Sequence, residues 1–185
     1  MEWTIPGTAL RGLRDDVEAS IRQIEGMFLG GGMIRSQMAS VSGVEAHDIQ
    51  NWVKRGFLSN PVNKRYSCNQ FCRIVTINML RSAMTMDKIC SLLTYVNGEL
   101  DDESDDLIDD TVLYFMFLRL AARARHIGGT ESWDTAIADI LKDYVEPVPG
   151  AKKRIDQVLR IMLTAWIGVQ TIRKAESMLF ELKED

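Results

Sequence analysis

Residues 36–67 decide the fold, and they read SQMASVSGVEAHDIQNWVKRGFLSNPVNKRYS. Ser36 can cap a brief helix that continues to Val41, and Gly43 then supplies a tight turn. A second helix is predicted from Ala46 to Arg55. Two short helices joined by a glycine turn define a helix-turn-helix.

The second of these helices has one apolar and one polar side. Ile49, Trp52 and Val53 share the apolar side, which predicts that they face the core. The opposite face carries Glu45, His47, Asp48, Gln50, Asn51 and Lys54. Because Gln and Asn can bond bidentately to adenine, and Lys can reach guanine or phosphate oxygens, this face suits a DNA major groove. An ordinary solvated helix face is the alternative that the helix alone leaves open.

The segment after the second helix is short, basic and rich in turn-forming residues. Gly56 ends the helix, and residues 59–66 read SNPVNKRY, which predicts a compact wing. A capping box of Ser67 and Gln70 predicts a helix through Ser82, and a further helix is predicted from Thr85 to Asn97. The helix face and the wing together give the candidate DNA-binding residues, which are His47, Gln50, Asn51, Lys54, Arg55, Asn63, Lys64, Arg65 and Tyr66.

The charges are unevenly distributed along the chain. The whole sequence has a formal net charge of -4, yet residues 36–98 hold seven cations and three anions, a local +4. Residues 99–110 hold eight acids and no base, which predicts a solvated acidic linker. A divalent cation site, or an acidic segment that folds back over the wing, are the alternatives. A basic half of this kind is compatible with nucleic acid as a partner.

From Ile34 to Leu93 the chain resembles the MerR-like winged-helix regulators. The matching features are Gly43-Val44 in the turn, Trp52, Gly56-Phe57-Leu58, Pro61, and Lys64-Arg65-Tyr66-Ser67 before the next helix. More narrowly, IQNWVKRGF at 49–57, PVNKRYS at 61–67 and NGEL at 97–100 look like an uncharacterised bacterial family, domain of unknown function 1836, which is itself thought to be MerR-like.

The resemblance implies a winged helix-turn-helix that binds double-stranded DNA. It places His47, Gln50 and Asn51 towards bases and phosphates, and Lys64, Arg65 and Tyr66 in a wing that touches the DNA backbone. MerR-like proteins typically carry arginines where this chain has His47 and Gln50, which weakens the attraction to phosphate. The wing is also shorter, nearer to the reduced wings of phage excisionases.

The rest of the chain is predicted to be helical, giving an all-α fold. Val17, Ile21, Ile24 and Phe28 recur at helical spacing before three glycines at 30–32. Further helices are predicted at 112–124, closed by Gly128-Gly129, at 132–145 and at 151–182. The predicted divisions are an N-terminal segment at 1–32, the DNA-binding domain at 33–98, the acidic linker at 99–110 and a helical dimerisation or effector region at 111–185.

A heptad pattern runs along the long last helix. Its positions are Ile155, Val158, Met162, Ala165, Val169, Ile172 and Leu179, with Glu176 as the polar exception. In the MerR-like family a long C-terminal helix pairs two subunits in an antiparallel coiled coil, so a homodimer is expected. A buried helix within one chain would show much of the same pattern.

Other classes of protein find less support in the sequence. His47 and His126 accompany no nucleophile motif, and there is no phosphate loop, so neither an enzyme nor a cofactor is expected. Cys68, Cys72 and Cys90 are expected to be reduced thiols. A metal site at Cys68 and Cys72 is not expected, because too few further ligands surround them. The N-terminus lacks a signal peptide and no stretch is long enough to span a membrane, which predicts a cytoplasmic protein.

The function expected from the sequence is therefore that of a dimeric DNA-binding transcriptional regulator. An effector pocket between helices would be lined by Met116, Phe117, Met162 and Trp166, although such residues are more often ordinary core. The alternatives are a protein-interaction adaptor that uses the same helix face, and an excisionase-like architectural DNA binder.

Overall fold

The structure, a computed structural model, describes residues 2–98, 106–124 and 132–182. It is mainly helical, as expected. Two short strands, β1 (Glu2–Thr4) and β2 (Arg11–Leu13), and a 3-10 turn at Arg14–Asp16 precede the helices. The α-helices of the described residues are α1 (Val17–Met27), α2 (Arg35–Ser42), α3 (Ala46–Lys54), α4 (Cys68–Leu80), α5 (Met86–Asn97), α6 (Asp110–Arg123), α7 (Trp133–Ile140) and α8 (Ala151–Glu181).

Helices α4 and α6 form the centre of the core. Every residue from Phe71 to Ile77 is buried, and so is every residue from Leu113 to Leu118. A helix that is buried on all sides needs neighbours on all sides, and α4 packs against α2, α5, α6 and α8. One buried cluster extends from Trp3 to Trp166, so the N-terminal residues and the C-terminal helices share a core with residues 33–98.

Most helices begin where the sequence indicates a cap. Ser67 Oγ accepts from the Gln70 amide at 3.2 Å, and Gln70 Oε1 accepts from the Ser67 amide at 3.0 Å, which completes the predicted capping box of α4. The expected cap at Ser36 is wrong, because α2 begins at Arg35 and Ser36 lies in its first turn. Helix α7 ends at Ile140, earlier than the predicted Val145.

An N-terminal β-hairpin was not expected from the sequence. Its antiparallel strands place Trp3 opposite Gly12, and its loop reaches the end of α2, where the Ala9 amide donates to the Val41 carbonyl at 3.0 Å. Gly7 has a φ of +75°, and a Cβ there would lie 2.1 Å from the Val75 carbonyl oxygen of α4. The loop can therefore lie against α4 only because residue 7 has no side chain.

Helix α8 divides into a buried and an exposed part. The heptad positions Ile155, Val158, Met162 and Val169 are buried in their own chain, against a core that includes α5 and α6. From Gln170 to Leu182 every residue is exposed. The expectation that the whole heptad pattern faces a partner subunit is therefore wrong for residues 155–169.

The end of the predicted acidic linker belongs to the packed structure. Residues 99–105 of that run lie outside the described residues, as do His126 and Gly128-Gly129. Leu107, Ile108 and Asp110 are buried, and the Leu107 amide donates to the Val96 carbonyl at 2.8 Å. For residues 107, 108 and 110 the expectation of a solvated linker is corrected, since they pack beside α5 and begin α6.

None of the described helices is both long and apolar enough to cross a membrane. Phe117 and Met162, two of the four residues named for a pocket between helices, are fully buried, and the Phe117 ring packs edge-on against Trp166 with centroids 6.1 Å apart. Phe117 and Met162 are therefore core residues, which is the alternative that the sequence left open.

Candidate functional site

A three-residue turn joins α2 to α3 and is held in place by hydrogen bonds to the residues that pack beneath it. Gly43 adopts a left-handed conformation with φ of +69°, which ends α2. The Val44 amide donates to Ser42 Oγ at 3.2 Å, and the Val44 side chain is buried. Asn78 of α4 donates to the Ser42 carbonyl at 3.2 Å and to the Gly7 carbonyl at 2.9 Å. The turn is thus tied to both α4 and the N-terminal hairpin.

Four of the candidate residues form one exposed ridge along α3. His47, Gln50, Asn51 and Lys54 are all exposed, and their spacing of i, i+3, i+4 and i+7 places them on one face. The opposite face carries Ile49 and Trp52, which are buried. We call His47, Gln50, Asn51 and Lys54 the α3 ridge; its groups can donate and accept hydrogen bonds.

Asp48 places a negatively charged carboxylate beside the α3 ridge. It lies 3.1 Å from His47 Nε2 and 3.3 Å from Arg81 NH1, and the Arg81 guanidinium lies 5.8 Å from the centre of the Trp52 ring. Arg81 therefore compensates the carboxylate on α3, and its own charge is partly used in doing so. Sequence reasoning counted Arg81 in the basic half but did not foresee this pairing.

The predicted wing is a hairpin of four residues. Val62 and Arg65 form an isolated antiparallel bridge, and the Arg65 amide donates to the Val62 carbonyl at 2.9 Å. Asn63 and Lys64 at the tip have φ of +50° and +62°, as in a two-residue type I′ turn. Val62, Asn63, Lys64 and Arg65 are all exposed. This hairpin shares no hydrogen bond or ion pair with the α3 ridge in the part of the chain that the structure describes.

Tyr66 is a correction to the predicted site. Its side chain is buried, and burial raises its pKa. Its main chain pairs with Met33 in both directions, at 2.7 and 3.0 Å, and Gly32 lies so close that a Cβ would be 2.7 Å from the Tyr66 carbonyl oxygen. Tyr66 therefore anchors the base of the hairpin to Met33, two residues before α2, and its ring is buried in the core.

The two arginine candidates make local contacts and stay exposed. Arg65 donates to the Gly32 carbonyl at 2.8 Å, and the Arg55 guanidinium lies 4.5 Å from the centre of the Phe57 ring. Lys54 and Lys64 make no ion pair with any residue that the structure describes. Lys54 and Arg55 at the end of α3, and Lys64 and Arg65 in the hairpin, are therefore exposed cations.

A buried ion pair that the sequence did not predict fixes the segment after α3. Arg73 donates to the Phe57 carbonyl at 2.9 Å and pairs with Asp110 at 3.2 Å, and both side chains are almost fully buried. Burial raises the pKa of Asp110, against the opposing effect of Arg73. An arginine inside the apolar run of α4 is the one sequence signal that could have suggested such a partner.

The cysteines provide no metal site in the described residues, where no group of three or more potential ligands occurs. Cys68 and Cys72 lie one turn apart on α4. A hydrogen bond from Cys72 lowers the pKa of Cys68, whereas burial raises the pKa of Cys72 well above its ordinary value. Cys68 is therefore the more reactive thiol of the two.

The fold and site define a mainly helical chain that presents a two-helix unit with an exposed polar ridge. Residues 33–117 match the family described as domain of unknown function (DUF1836). The match begins at Met33, the partner of Tyr66, and ends within α6. It confirms the family resemblance expected from the sequence, while the MerR-like affiliation stays a prediction. No curated protein and no solved structure matches the chain.

Proposed function

We propose that this protein is a DNA-binding transcriptional regulator, with α2 and α3 as a helix-turn-helix and the 62–65 hairpin as a reduced MerR-like wing. The observation that carries the proposal is the α3 ridge. Its four polar side chains face outward on a helix whose other side is anchored in the core. Gln50 and Asn51 supply the amide groups that can read adenine, and Lys54 supplies a cation.

The exposed charges support a DNA partner of modest affinity. Of the seven cations in residues 36–98, five are exposed and make no ion pair within the described part of the chain: Lys54, Arg55, Lys64, Arg65 and Lys88. Arg73 is buried against Asp110, and Arg81 is paired with Asp48. Phosphate contacts supply most of the sequence-independent affinity of a DNA-binding protein. Because the salt dependence scales with the number of phosphates that a protein neutralises, this small number of free cations predicts weak binding with a salt dependence shallower than that of a strongly basic DNA-binding protein.

The exposed end of α8 supports a homodimer. Ile172, Met178, Leu179, Phe180 and Leu182 are each more than half exposed, in a stretch that no other part of the described chain covers. Large apolar side chains clustered at a surface mark interaction sites. A second copy of the same segment would cover them and would bring two α3 ridges to one palindromic DNA site.

The test is fluorescence anisotropy of labelled duplex DNA at low and moderate salt. We compare the wild type with Lys54→Ala/Lys64→Ala and with a control, Lys153→Ala/Lys174→Ala, which removes the same charge from exposed positions of α8. The first variant should weaken binding and lower by about two the number of counterions released, which is measured from the slope of the logarithm of the binding constant against the logarithm of the salt concentration. Equal loss in both variants, or no binding by the folded wild type, would refute the proposal.

A protein-interaction adaptor is the second candidate. It is favoured by Val62, which is 75% exposed beside the hairpin tip, and by Asp48, which would repel phosphate if Arg81 left it. An adaptor would show no salt-dependent DNA binding, because an apolar interface does not weaken in this way. An excisionase-like role would instead appear as bending of the bound DNA.

A further inference from the structure

We infer that the chain has a binding site for a small organic anion, bearing a carboxylate or a phosphate, between the N-terminal hairpin, the end of α4 and α8. A cavity of about 430 Å³ opens there. This volume lies within the range of small-molecule sites. The cavity contains no residue of the α3 ridge, and it shares only Trp166 with the group of residues for which the sequence suggested an effector.

The charges that line the cavity favour an anion. Arg14, Arg81 and Arg173 all line it, against Glu2 as the only acid among the lining residues. Glu2 belongs to β1, Arg14 to the 3-10 turn and Arg173 to α8, and Arg81 directly follows α4, so the fold gathers side chains that are far apart in the sequence. Guanidinium groups bind carboxylates and phosphates through paired hydrogen bonds.

The rings of two tryptophans, Trp3 and Trp166, lie close to the Arg14 guanidinium and form an apolar part of the cavity wall. Its guanidinium carbon lies 4.8 Å from the centre of the Trp3 ring and 5.7 Å from that of Trp166. Both rings are about nine-tenths buried, and both line the cavity. Contact with the two rings restricts the conformations of the Arg14 side chain, so less side-chain entropy is lost when an anion binds to it.

A buried donor without a partner gives an independent indication of a ligand. Trp3 Nε1 is inaccessible and has no hydrogen-bond acceptor in the part of the chain that the structure describes. A buried donor that lacks an acceptor costs about 1–3 kcal/mol. Because Trp3 lines the cavity while its N–H is inaccessible, an anionic oxygen that binds the arginines would reach this N–H only after a small shift of the Trp3 ring.

Arg81 connects the cavity to α3. It lines the cavity and also compensates Asp48 beside the α3 ridge. An anion that binds Arg81 leaves the Asp48 carboxylate uncompensated, which disfavours phosphate near α3. This consequence rests on the proposed DNA-binding function, whereas anion binding itself is measured without DNA.

Isothermal titration calorimetry with inorganic phosphate, citrate and benzoate, at constant ionic strength, tests the site and separates phosphate from carboxylate ligands. At least one probe should bind the wild type saturably, and Arg173→Gln should weaken that binding about tenfold or more, through loss of a charge-assisted hydrogen bond. Arg173 lies on the exposed part of α8, so this variant should stay folded.

Two further variants make the result specific. Lys174→Gln removes the same charge from the next residue, which does not line the cavity, and should bind like the wild type. Trp3→Phe keeps an aromatic ring but removes the N–H, and should weaken binding less than Arg173→Gln does. The site is refuted if no probe binds saturably, or if Lys174→Gln weakens binding as much as Arg173→Gln.

Anisotropy with DNA then tests the coupling alone. The probe that binds should lower the DNA affinity of the wild type. If the probe binds and the DNA affinity does not change, the coupling through Arg81 is refuted and the site stands. If the wild type binds no DNA, the proposed function fails while the calorimetric result on the site is unaffected.

Discussion

The two sides of the α2–α3 unit differ in how many contacts their side chains make with the rest of the chain. On the inner side, Ile49 and Trp52 are buried, and the turn is tied down by Asn78 and by the Ala9 amide. On the outer side, the α3 ridge projects into solvent. The inner side thus has the contacts that hold α3 in position, and the outer side makes no such contacts with the core.

This difference predicts that substitutions on the two sides affect different measurements. Changes on the inner side should reduce the free energy of unfolding, because buried polar groups lose their partners. Changes on the outer side should leave folding nearly unchanged and alter binding alone. Asp110 and Tyr114 of α6 make buried polar contacts in the core that supports this unit, whereas Gln50 and Asn51 lie on its outer side. The substitutions below are ordered by decreasing expected effect on stability.

Asp110→Ala should cause the largest loss. It leaves the Arg73 guanidinium buried without its carboxylate, and removing one partner of a buried ion pair costs about 3–5 kcal/mol. The free energy of unfolding is measured by urea denaturation. Asp143→Ala, at an exposed position, should stay within about 0.5 kcal/mol of the wild type. A loss below about 1 kcal/mol for Asp110→Ala would show that the pair does not anchor the segment after α3.

The same variant has a predicted pH dependence. Burial raises the pKa of Asp110 in the folded state, so its contribution is greatest below the ordinary pKa of an aspartate. Only the proton-linked part of this contribution is lost as the pH rises through the raised value, and the ion pair with Arg73 remains. The difference in unfolding free energy between the wild type and Asp110→Ala should therefore shrink as the pH rises from about 4. A difference that grows over this interval would contradict the raised pKa.

Tyr114→Phe should have an intermediate effect. The Tyr114 hydroxyl is fully buried and donates to the Pro6 carbonyl at 2.6 Å, which ties the hairpin loop to α6. Its removal leaves that carbonyl without this donor and should cost about 1–3 kcal/mol in thermal or urea unfolding. Tyr95→Phe is the matched control, because its hydrogen bond to Gln157 is exposed. Equal losses in the two variants would mean that burial does not decide the effect.

Gln50→Ala and Asn51→Ala should have the smallest effect on stability, within about 0.5 kcal/mol each, because both side chains are exposed. If they read bases, each should reduce discrimination between DNA sequences by about 1–3 kcal/mol, as measured by competition anisotropy. Gln23→Ala, at an exposed position of α1, should change neither quantity. A large loss of stability at Gln50 or Asn51 would break the separation between the two sides.

Local signals in the sequence predicted the helices well, and long-range contacts explain what they missed. The capping box at Ser67 and the start of α8 at Ala151 depend on neighbouring residues, so they could be read directly. The burial of Asp110 depends on Arg73, 37 residues earlier, and could not. The three-residue strands of the hairpin are too short for a periodic signal, although Pro6-Gly7 between them is a turn signal.

The candidate site was predicted in part for the same reason. Helical spacing alone placed His47, Gln50, Asn51 and Lys54 on one exposed face. Tyr66 was misplaced because its burial follows from pairing with Met33, at the other end of the two-helix unit. The anion cavity combines residues from both ends of the chain, and no local pattern indicates it.

The left-handed backbone at Lys64 has a consequence for anyone who wishes to engineer this protein. A φ of +62° suits glycine better than lysine, so Lys64→Gly is the substitution that a stability-guided redesign would select at the hairpin tip. The same substitution deletes an exposed cation. If the chain binds DNA as proposed, thermostability and affinity for this polyanion would change in opposite directions, and a screen for heat resistance alone would select against binding.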